Sequence, residues 1–573
     1  MEIKLVTDGS GVASVSTSRI TSWDKYFSNP GTLYYNLKNC QRLSNPNYNV
    51  EYHITAPNKS IGLPRDLFDG LRLRKLYINK SNITVLTKDI FKSLKNLCEL
   101  DLNSNKLESL DSSIFNGLSK LERLDISANN LTTLPKELFN GLENLRVLML
   151  YSNKLENLEP SIFNDLLQLQ KLNLQRNELT HLSKDIFNGL EDLCFLDLSW
   201  NELTNLDSYI FNDLLQLKEL NVSCNNVTTL PKDLFNGLGN LVYIFLDSNQ
   251  LDKLDSSTFD NLLKLRILSI SNNKLTTLPA NTFKSNPNIF AITLSFNKLT
   301  NLEPGTFNDL SELHTLCIHN NNLTRLMNNI FNDLVYLHEL NLGSNQILNL
   351  ESDIFDNLLQ LKKLNISNNN LTTLSSHLFN NLSHLATLDI SNNKLATLSK
   401  DLFNSLENLR ELNLKSIQLD NLESDFFDNL LQLEKLDISN NNLTTLSNNL
   451  FDNLSQLSNL DISNNDLTIL SVDTFNKLKN LNELNLSSNK LNYIESGTFD
   501  NLMDLEKLDI SKNNLITLKD LFSYLSQLSE LDVSNNNLTI LSKDTFKGLQ
   551  DLRSLNLKSN QLNYIEPAEK IHE

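Results

Sequence analysis

LKKLNISNNNLTTLSSHLFNNLSH, residues 361–384, is followed at once by LATLDISNNKLATLSKDLFNSLEN, residues 385–408. Both keep Leu or Ile at their first, fourth, sixth and eleventh places, Asn at the ninth and Phe at the nineteenth. The same frame runs back to Leu73 (LRKLYIN, 73–79) and forward to Leu552, giving 21 copies. Copies start every 24 residues until Leu505; the next starts at Leu528, one residue early. A fixed period of this size marks a chain of stacked supersecondary units. One unit cannot bury its own apolar side, so copies stack and their strands join into a parallel sheet with the leucines inside. Neighbouring strands lie ~4.8 Å apart, so the copies together make an arc of roughly 100 Å.

Two further columns of the repeat have a physical role. Asn at position 9 sits in the turn after the strand, where its amide can satisfy backbone groups that would otherwise be buried and unpaired. Only Ser81 and Ile417 replace it, and Ile417 predicts a weak rung over residues 415–420. Phe at position 19 forms a ladder from Phe91 to Phe546, extended back by Phe68, and this takes up most of the 27 Phe residues. Phe27, Phe195, Phe245, Phe290, Phe296 and Phe426 stand outside it.

The chain has 573 residues, 40% of them hydrophobic, and 50 basic against 68 acidic side chains, a net charge of −18. That balance argues against a nucleic-acid partner, which calls for a basic footprint. No apolar run reaches the ~18 residues of a membrane helix, and Met1–Ser18 has no apolar core of a signal peptide. Five cysteines (Cys40, Cys98, Cys194, Cys224, Cys317) with no CxxC pair read as scattered free thiols. Residues 1–48 read as a non-repeat lead-in with a possible hairpin at Asp8–Gly11, and 49–72 as a degenerate capping repeat. The solenoid spans 73–566, and 567–573 is a polar tail. The last copy stops mid-repeat at Glu566–Pro567, so the end is expected to be truncated or covered by a partner. Copies ending NLExxIFDNLLQL alternate with copies ending TTLxxxLFNxL, which points to duplication in pairs.

The motif LDISNNNLTTL-x4-LF-x2-L, as at Leu433, resembles the typical leucine-rich repeats of animal extracellular proteins, Toll-type receptor ectodomains among them. The resemblance covers residues 49–566 and implies an α/β repeat: a curved horseshoe with a parallel sheet on its concave face and loops or short helical turns on its convex face. It implies recognition, with a role in innate recognition or cell-surface signalling, and an extracellular location. Family cysteine-rich caps are missing, which leaves a cytoplasmic structural or adaptor protein as the alternative.

Positions 3, 5 and 7 point to the concave face, with positions 2 and 8 at its flanks. Copies four to eleven put Val147, Met149, Tyr151, Phe195, Trp200, Tyr243, Phe245, Ile267, Phe290, Phe296 and His319 there. Outward aromatic side chains mark contact surfaces, so these residues are the expected site for a protein or peptide partner. From the twelfth copy onward the same places carry polar and charged residues, read as a solvated surface. His314, Cys317, His319 and His338 are near in sequence and of zinc-binding type, but positions 2 and 5 diverge, so no metal and no cofactor are expected. No G-x-S-x-G, H-E-x-x-H, G-x-G-x-x-G or phosphate loop occurs, so no catalysis is expected. Fourteen N-x-S/T sequons are permissive for glycosylation, and glycans at Asn221, Asn365 or Asn485 would block the concave face.

Overall fold

The computed structural model describes residues 5–6, 51–53, 61–63 and 65–566. Positions 3–5 of the copies form three-residue strands, and from Lys75–Tyr77 to Glu530–Asp532 each central residue is buried, as in Glu219–Asn221 and Lys363–Asn365. Each strand pairs in parallel, in register, with the strand 24 residues on, as Glu219↔Tyr243 and Glu339↔Lys363. The chain forms two compact units: Met1–Leu275 with Ser285–Ile289, and Thr276–Lys284 with Phe290–Glu573. In the first, the sheet runs in parallel from Glu51–His53 and Lys75–Tyr77 to Ile267–Ser269, and Leu5–Val6 adds antiparallel to Glu51–His53. In the second it runs from Ala291–Thr293 to Ser554–Asn556. Outside the main sheet the rungs are built mostly of turns, with short parallel pairs such as Ile469–Leu470 with Tyr493–Ile494 and Ile540–Leu541 with Tyr564–Ile565. Among the described residues the one helical segment is a 3₁₀ turn, Lys400–Phe403. The proposed hairpin at 8–11, Cys40 and the tail 567–573 lie outside the described residues.

The core follows the columns. Leu241, Ile244, Leu246 and Leu251, positions 1, 4, 6 and 11 of one copy, are all fully buried. Ladder phenylalanines stack 5.9–6.4 Å apart, as Phe235–Phe259 in the first unit and Phe331–Phe355 in the second. Phe426 joins this core rather than the surface, edge-on to Phe403 and Phe427 at 5.5 and 5.0 Å.

Backbone hydrogen bonds continue past each strand. Position 8 donates to the carbonyl of position 7 in the next copy, as Ser248 to Ser271, 2.9 Å. Position 10 donates back to position 11 of the preceding copy, as Gln250 to Val227, 2.9 Å. This path puts position 8 in the left-handed region, with Ser248 at φ 54°. The position 9 amide closes the turn. Asn249 Nδ2 donates to the carbonyls of Val222 (2.9 Å) and Leu246 (3.1 Å), and its Oδ1 accepts from Val227 N–H at 3.0 Å.

The two copies without that Asn share one rearrangement. Ser81 and Ser416–Gln418 show why: Ser81 N–H and Ile83 N–H both donate to Asn105 Oδ1, and Ile417 N–H and Leu419 N–H both donate to Asn441 Oδ1. In both copies positions 8 and 10 are left-handed, Lys80 and Asn82 at φ 51° and 52°, Ser416 and Gln418 at 55° and 72°. The next rung's Asn thus serves position 9 as well. Ile417 itself is fully buried. What the rung loses is the position 10 bond to Leu395 and an acceptor for Leu395 N–H, bonds that the neighbouring copies make as Asn442 N–H to Leu419 O (2.8 Å) and Leu371 N–H to Asn393 Oδ1 (3.1 Å). Hydrogen exchange is expected to be faster at Leu395 and Gln418 than at Leu371 and Asn442, because opening there breaks fewer bonds. Equal protection at the four amides would show that the rung is not weakened.

The residue missing after Leu505 is lost from the turn side, between Leu518 and Phe522, not from the sheet. Asn536 still reaches Ile510 O and Leu515 N–H, now over 26 and 21 residues, and Phe522 still stacks on Phe546 at 6.2 Å. The shortened turn brings the next one close. A Cβ on Gly548 would lie 2.1 Å from Phe522 O, so only glycine fits.

Candidate functional site

In the first unit the outward columns run side by side in register. Lys171, Phe195, Glu219, Tyr243 and Ile267 form one; Asn173, Asp197, Asn221, Phe245 and Ser269 form the next. Val147 and Met149 precede them on the adjoining rung. Tyr243 is exposed, while Val147, Met149, Tyr151, Phe195, Phe245 and Ile267 are half-buried. Trp200 projects from the position 8 edge, 53% exposed, at φ 57°. That conformation disfavours a bulky side chain, and the turn geometry of the repeat imposes it. Two cations of the chain already sit on this surface: Lys171 Nζ lies 5.8 Å from the Phe195 ring centre, and the Arg176 guanidinium 5.4 Å from that of Trp200.

Acids are interleaved with these rings, a feature that a search for apolar residues alone missed. Burial pushes the carboxyls of Asp197, Glu219 and Asp247 above the usual carboxylate range; Asp197 also raises Glu219, and Ser hydroxyls and amides oppose the shift at Asp197 and Asp247. Among the described residues no Lys, Arg or His lies in ion-pair contact with any of the three. A carboxyl with a folded pKa above its unfolded value binds more protons when folded, so its ionisation costs stability as pH rises through that window. Asp197 accepts Ser199 N–H at 2.9 Å, and Asn221 makes the same bond to Ser223 at 3.0 Å. Asp197→Asn is therefore expected to raise the denaturation midpoint at pH 7 and to leave it unchanged near pH 3. A gain of equal size at both pH values would assign the effect to packing instead.

In the second unit the expected residues separate. Phe290 lies just before the strand Ala291–Thr293 and Phe296 three residues after it, so the two flank the strand on opposite sides. They do not form one strip. Phe290 stacks on His314 at 4.2 Å; His338 leans on His314 at 4.7 Å, and Tyr336 lies 6.5 Å away. Phe296, 53% exposed at φ 56°, meets His319 edge-on at 5.2 Å, and His319 Nδ1 pairs with Ser295 Oγ at 2.8 Å. The four residues weighed for zinc are thus divided between two edges, and the described residues hold no group of three or more His, Cys, Asp or Glu suited to a metal ion. Burial, then Glu339, pushes the Cys317 thiol up to about 11, so it stays protonated at neutral pH. Position 7 is also less open than the pattern implies: Ser127, Ser199 and Ser295 are buried there. Tyr336 and the acids could have been found by reading every outward column, charged residues included.

From Thr387 to Asn556 the sheet face forms a trough lined by charged and amide side chains alternating with leucines. Its position 3 row is ion-paired, Lys435 to Glu411 at 2.7 Å and Lys507 to Glu483 at 3.1 Å.

The leucine rich repeat family model matches residues 72–131, 99–150, 119–170, 143–203, 196–251, 240–299, 287–347, 455–515 and 519–569. The chain is a leucine-rich-repeat protein. A BspA type leucine rich repeat region also matches residues 324–458 of it. No curated protein matches this leucine-rich-repeat chain. Among solved structures it is similar to the glycosylated Toll–Spatzle complex of Drosophila, with 22% identity, a TM-score of 0.64, and 80% of this chain covered against 62% of that one. It is similar to the Arabidopsis receptor kinase HAESA in complex with a peptide hormone and a co-receptor, with 24% identity, a TM-score of 0.58, and 91% and 84% covered. It is also similar to TLR13 in a complex with single-stranded RNA, with 22% identity, a TM-score of 0.50, and 90% and 92% covered. These likenesses share the solenoid fold. The chain spans about 60% of the length of the Toll chain it matches. Among the described residues no helix is long and apolar enough to cross a membrane.

Proposed function

We propose that this chain is a non-catalytic recognition module that holds a protein or peptide partner on its sheet face, centred on Phe195, Trp200, Tyr243 and Phe245. The observation behind this reading is the aromatic group itself: Trp200 and Tyr243 are exposed near half-buried Phe195 and Phe245, with polar residues in the intervening outward places Asp197, Glu219 and Asn221. Aromatic anchors with a polar surround are the usual composition of binding centres. Phe290, Phe296 and His319 in the second unit are further candidate contacts of the same partner class. Partners in the Toll and HAESA complexes are a protein and a peptide, in keeping with this class. RNA is disfavoured by the net charge of −18 and by the acids among the rings. An extracellular place, in innate recognition or cell-surface signalling, is the reading the family resemblance favours.

A phage-displayed library of random 12-residue peptides, panned against the full chain, tests the surface. Peptides recovered should bind a triple Trp200→Ala, Tyr243→Ala, Phe245→Ala variant at least tenfold more weakly, with its circular dichroism unchanged. Equal binding to the triple variant would place recognition elsewhere. A second reading, an intracellular adaptor, is favoured by the free thiols of Cys98, Cys194, Cys224 and Cys317. Mass spectrometry of the native protein separates the two readings: glycans at the sequons support the extracellular one, and bare sequons with reduced thiols the adaptor.

A further inference from the structure

In the position 3 column Glu99, Glu339, Glu411, Glu483 and Glu530 each have a Lys or Arg on an adjacent rung, and three of them are ion-paired. Glu99 lies between Lys75 at 3.6 Å and Arg123 at 3.5 Å; Glu411 meets Lys435 at 2.7 Å, and Glu483 meets Lys507 at 3.1 Å. Glu219 breaks this pattern. Its neighbours in the column are Phe195 on one side and Tyr243 on the other, and it has no ion-pair partner among the described residues. We propose that Glu219, with Phe195 and Tyr243, receives one arginine or lysine side chain from a basic segment of a partner protein. This rests on the reading of the sheet face as a recognition surface and names the chemistry of what that surface takes.

The dimensions suit such a cation. Adjacent rungs lie ~4.8 Å apart, so the two rings stand roughly 10 Å apart with the carboxylate between them. A guanidinium above Glu219 falls within the ~6 Å over which ring faces attract cations, for both rings at once. Arginine fits best, since its planar head can donate a forked pair of hydrogen bonds to the carboxylate and stack on an aromatic ring. The chain's own side chains already use this chemistry nearby: Lys171 is 5.8 Å from the Phe195 ring centre and Arg176 is 5.4 Å from that of Trp200. Charge complementarity favours the same occupant. Asp197 lies in the neighbouring column beside Asn221, and the whole chain carries −18, which draws a basic partner and repels an acidic one. Lys171 favours the Glu219 carboxylate only through space; a half-buried carboxylate with no cation in contact is costly, and a cation supplied from outside reduces that cost.

The test uses the full chain with the Ile267 δ1 methyl isotope-labelled, since Ile267 adjoins Tyr243 in the column. The probes are acetyl-Gly-Arg-Gly-amide and its citrulline counterpart, which has nearly the same shape and no charge. The arginine peptide should shift the Ile267 methyl saturably, and the citrulline peptide should bind at least tenfold more weakly. Glu219→Gln, which keeps the side-chain size, should weaken the arginine peptide at least tenfold, and Tyr243→Leu should weaken it with Glu219 in place. A citrulline peptide that binds equally, an arginine peptide indifferent to Glu219→Gln, or no saturable shift would each overturn the proposal. If it fails while panned peptides still lose affinity for the triple alanine variant, the cation site is wrong and the recognition surface stands.

Discussion

Phe451→Ala should cost about 3–5 kcal/mol, the usual range for removing a buried aromatic ring. Phe451 is 1% exposed and lies between Phe427 and Phe475, with ring centres at 6.3 and 6.1 Å. Alanine leaves a void that neither neighbour can readily fill, because Phe427 is held by Phe426 and Phe475 by Phe499. Two stacking contacts go with it, each worth about 0.5–1.5 kcal/mol beyond buried area. A solenoid's rungs contact only their neighbours, so the damage should be local. Native-state hydrogen exchange should show faster opening in the rungs that start at Leu409, Leu433 and Leu457, with rungs of the first unit unchanged. Urea unfolding should gain an earlier transition. A loss below about 1 kcal/mol would mean that the turn side repacks freely and that the ladder is not a continuous core.

The position 9 column supports the second large effect. Asn369 Nδ2 donates to Leu342 O, Ile366 O and Ser367 O, each at 3.1 Å, and its Oδ1 accepts from Ile347 N–H at 3.0 Å. Asn369→Leu keeps the volume and removes all of these. Leu342 O and Ile366 O keep a second donor, Asn345 Nδ2 and Asn393 Nδ2. Ile347 N–H keeps none. The expected cost is about 2–4 kcal/mol, dominated by that unpaired buried donor and the weakened carbonyls. The rung at Ile417 supplies the converse. Ile417→Asn places a polar side chain in a fully buried site and should nevertheless stabilise the chain, by about 1 kcal/mol, because Leu395 N–H regains an acceptor and position 10 can return to the ordinary helical-sign φ. Equilibrium urea unfolding of both variants reads the two signs. Destabilisation by Ile417→Asn would mean that the rearranged rung is the better solution for its neighbours.

Much of this was legible beforehand because a strict period makes one copy's environment every copy's environment. Leu241, Ile244 and Leu246 are buried, and Phe235 meets Phe259, for the reason their columns give: equal rank in consecutive copies means lateral contact. The same rule placed Ile417 as the odd rung. It could not foresee that Asn441 would also accept from Ile417 N–H, since that needs the left-handed turn at Gln418. Phe426 shows the other limit. It stands off the ladder in the sequence, yet it is buried edge-on between Phe403 and Phe427. The residues expected to make contacts sit at different depths and in different places. Tyr243, Trp200, Phe290 and Phe296 are exposed, but Phe290 and Phe296 flank their strand on opposite sides, and only geometry showed that they pack on His314 and His319.

By itself the order of residues determined the stacked parallel rungs, the leucine interior, the phenylalanine ladder and the asparagine turns. Those features depend on side-chain type at a repeated rank, and repetition carries each neighbour's identity with it. Only the tertiary structure decided how deep each outward side chain sits, which carboxylates lack a cation and which rings touch. These depend on the local shape left by non-identical neighbours, such as the two aromatic residues beside Glu219 where other rungs supply Lys or Arg.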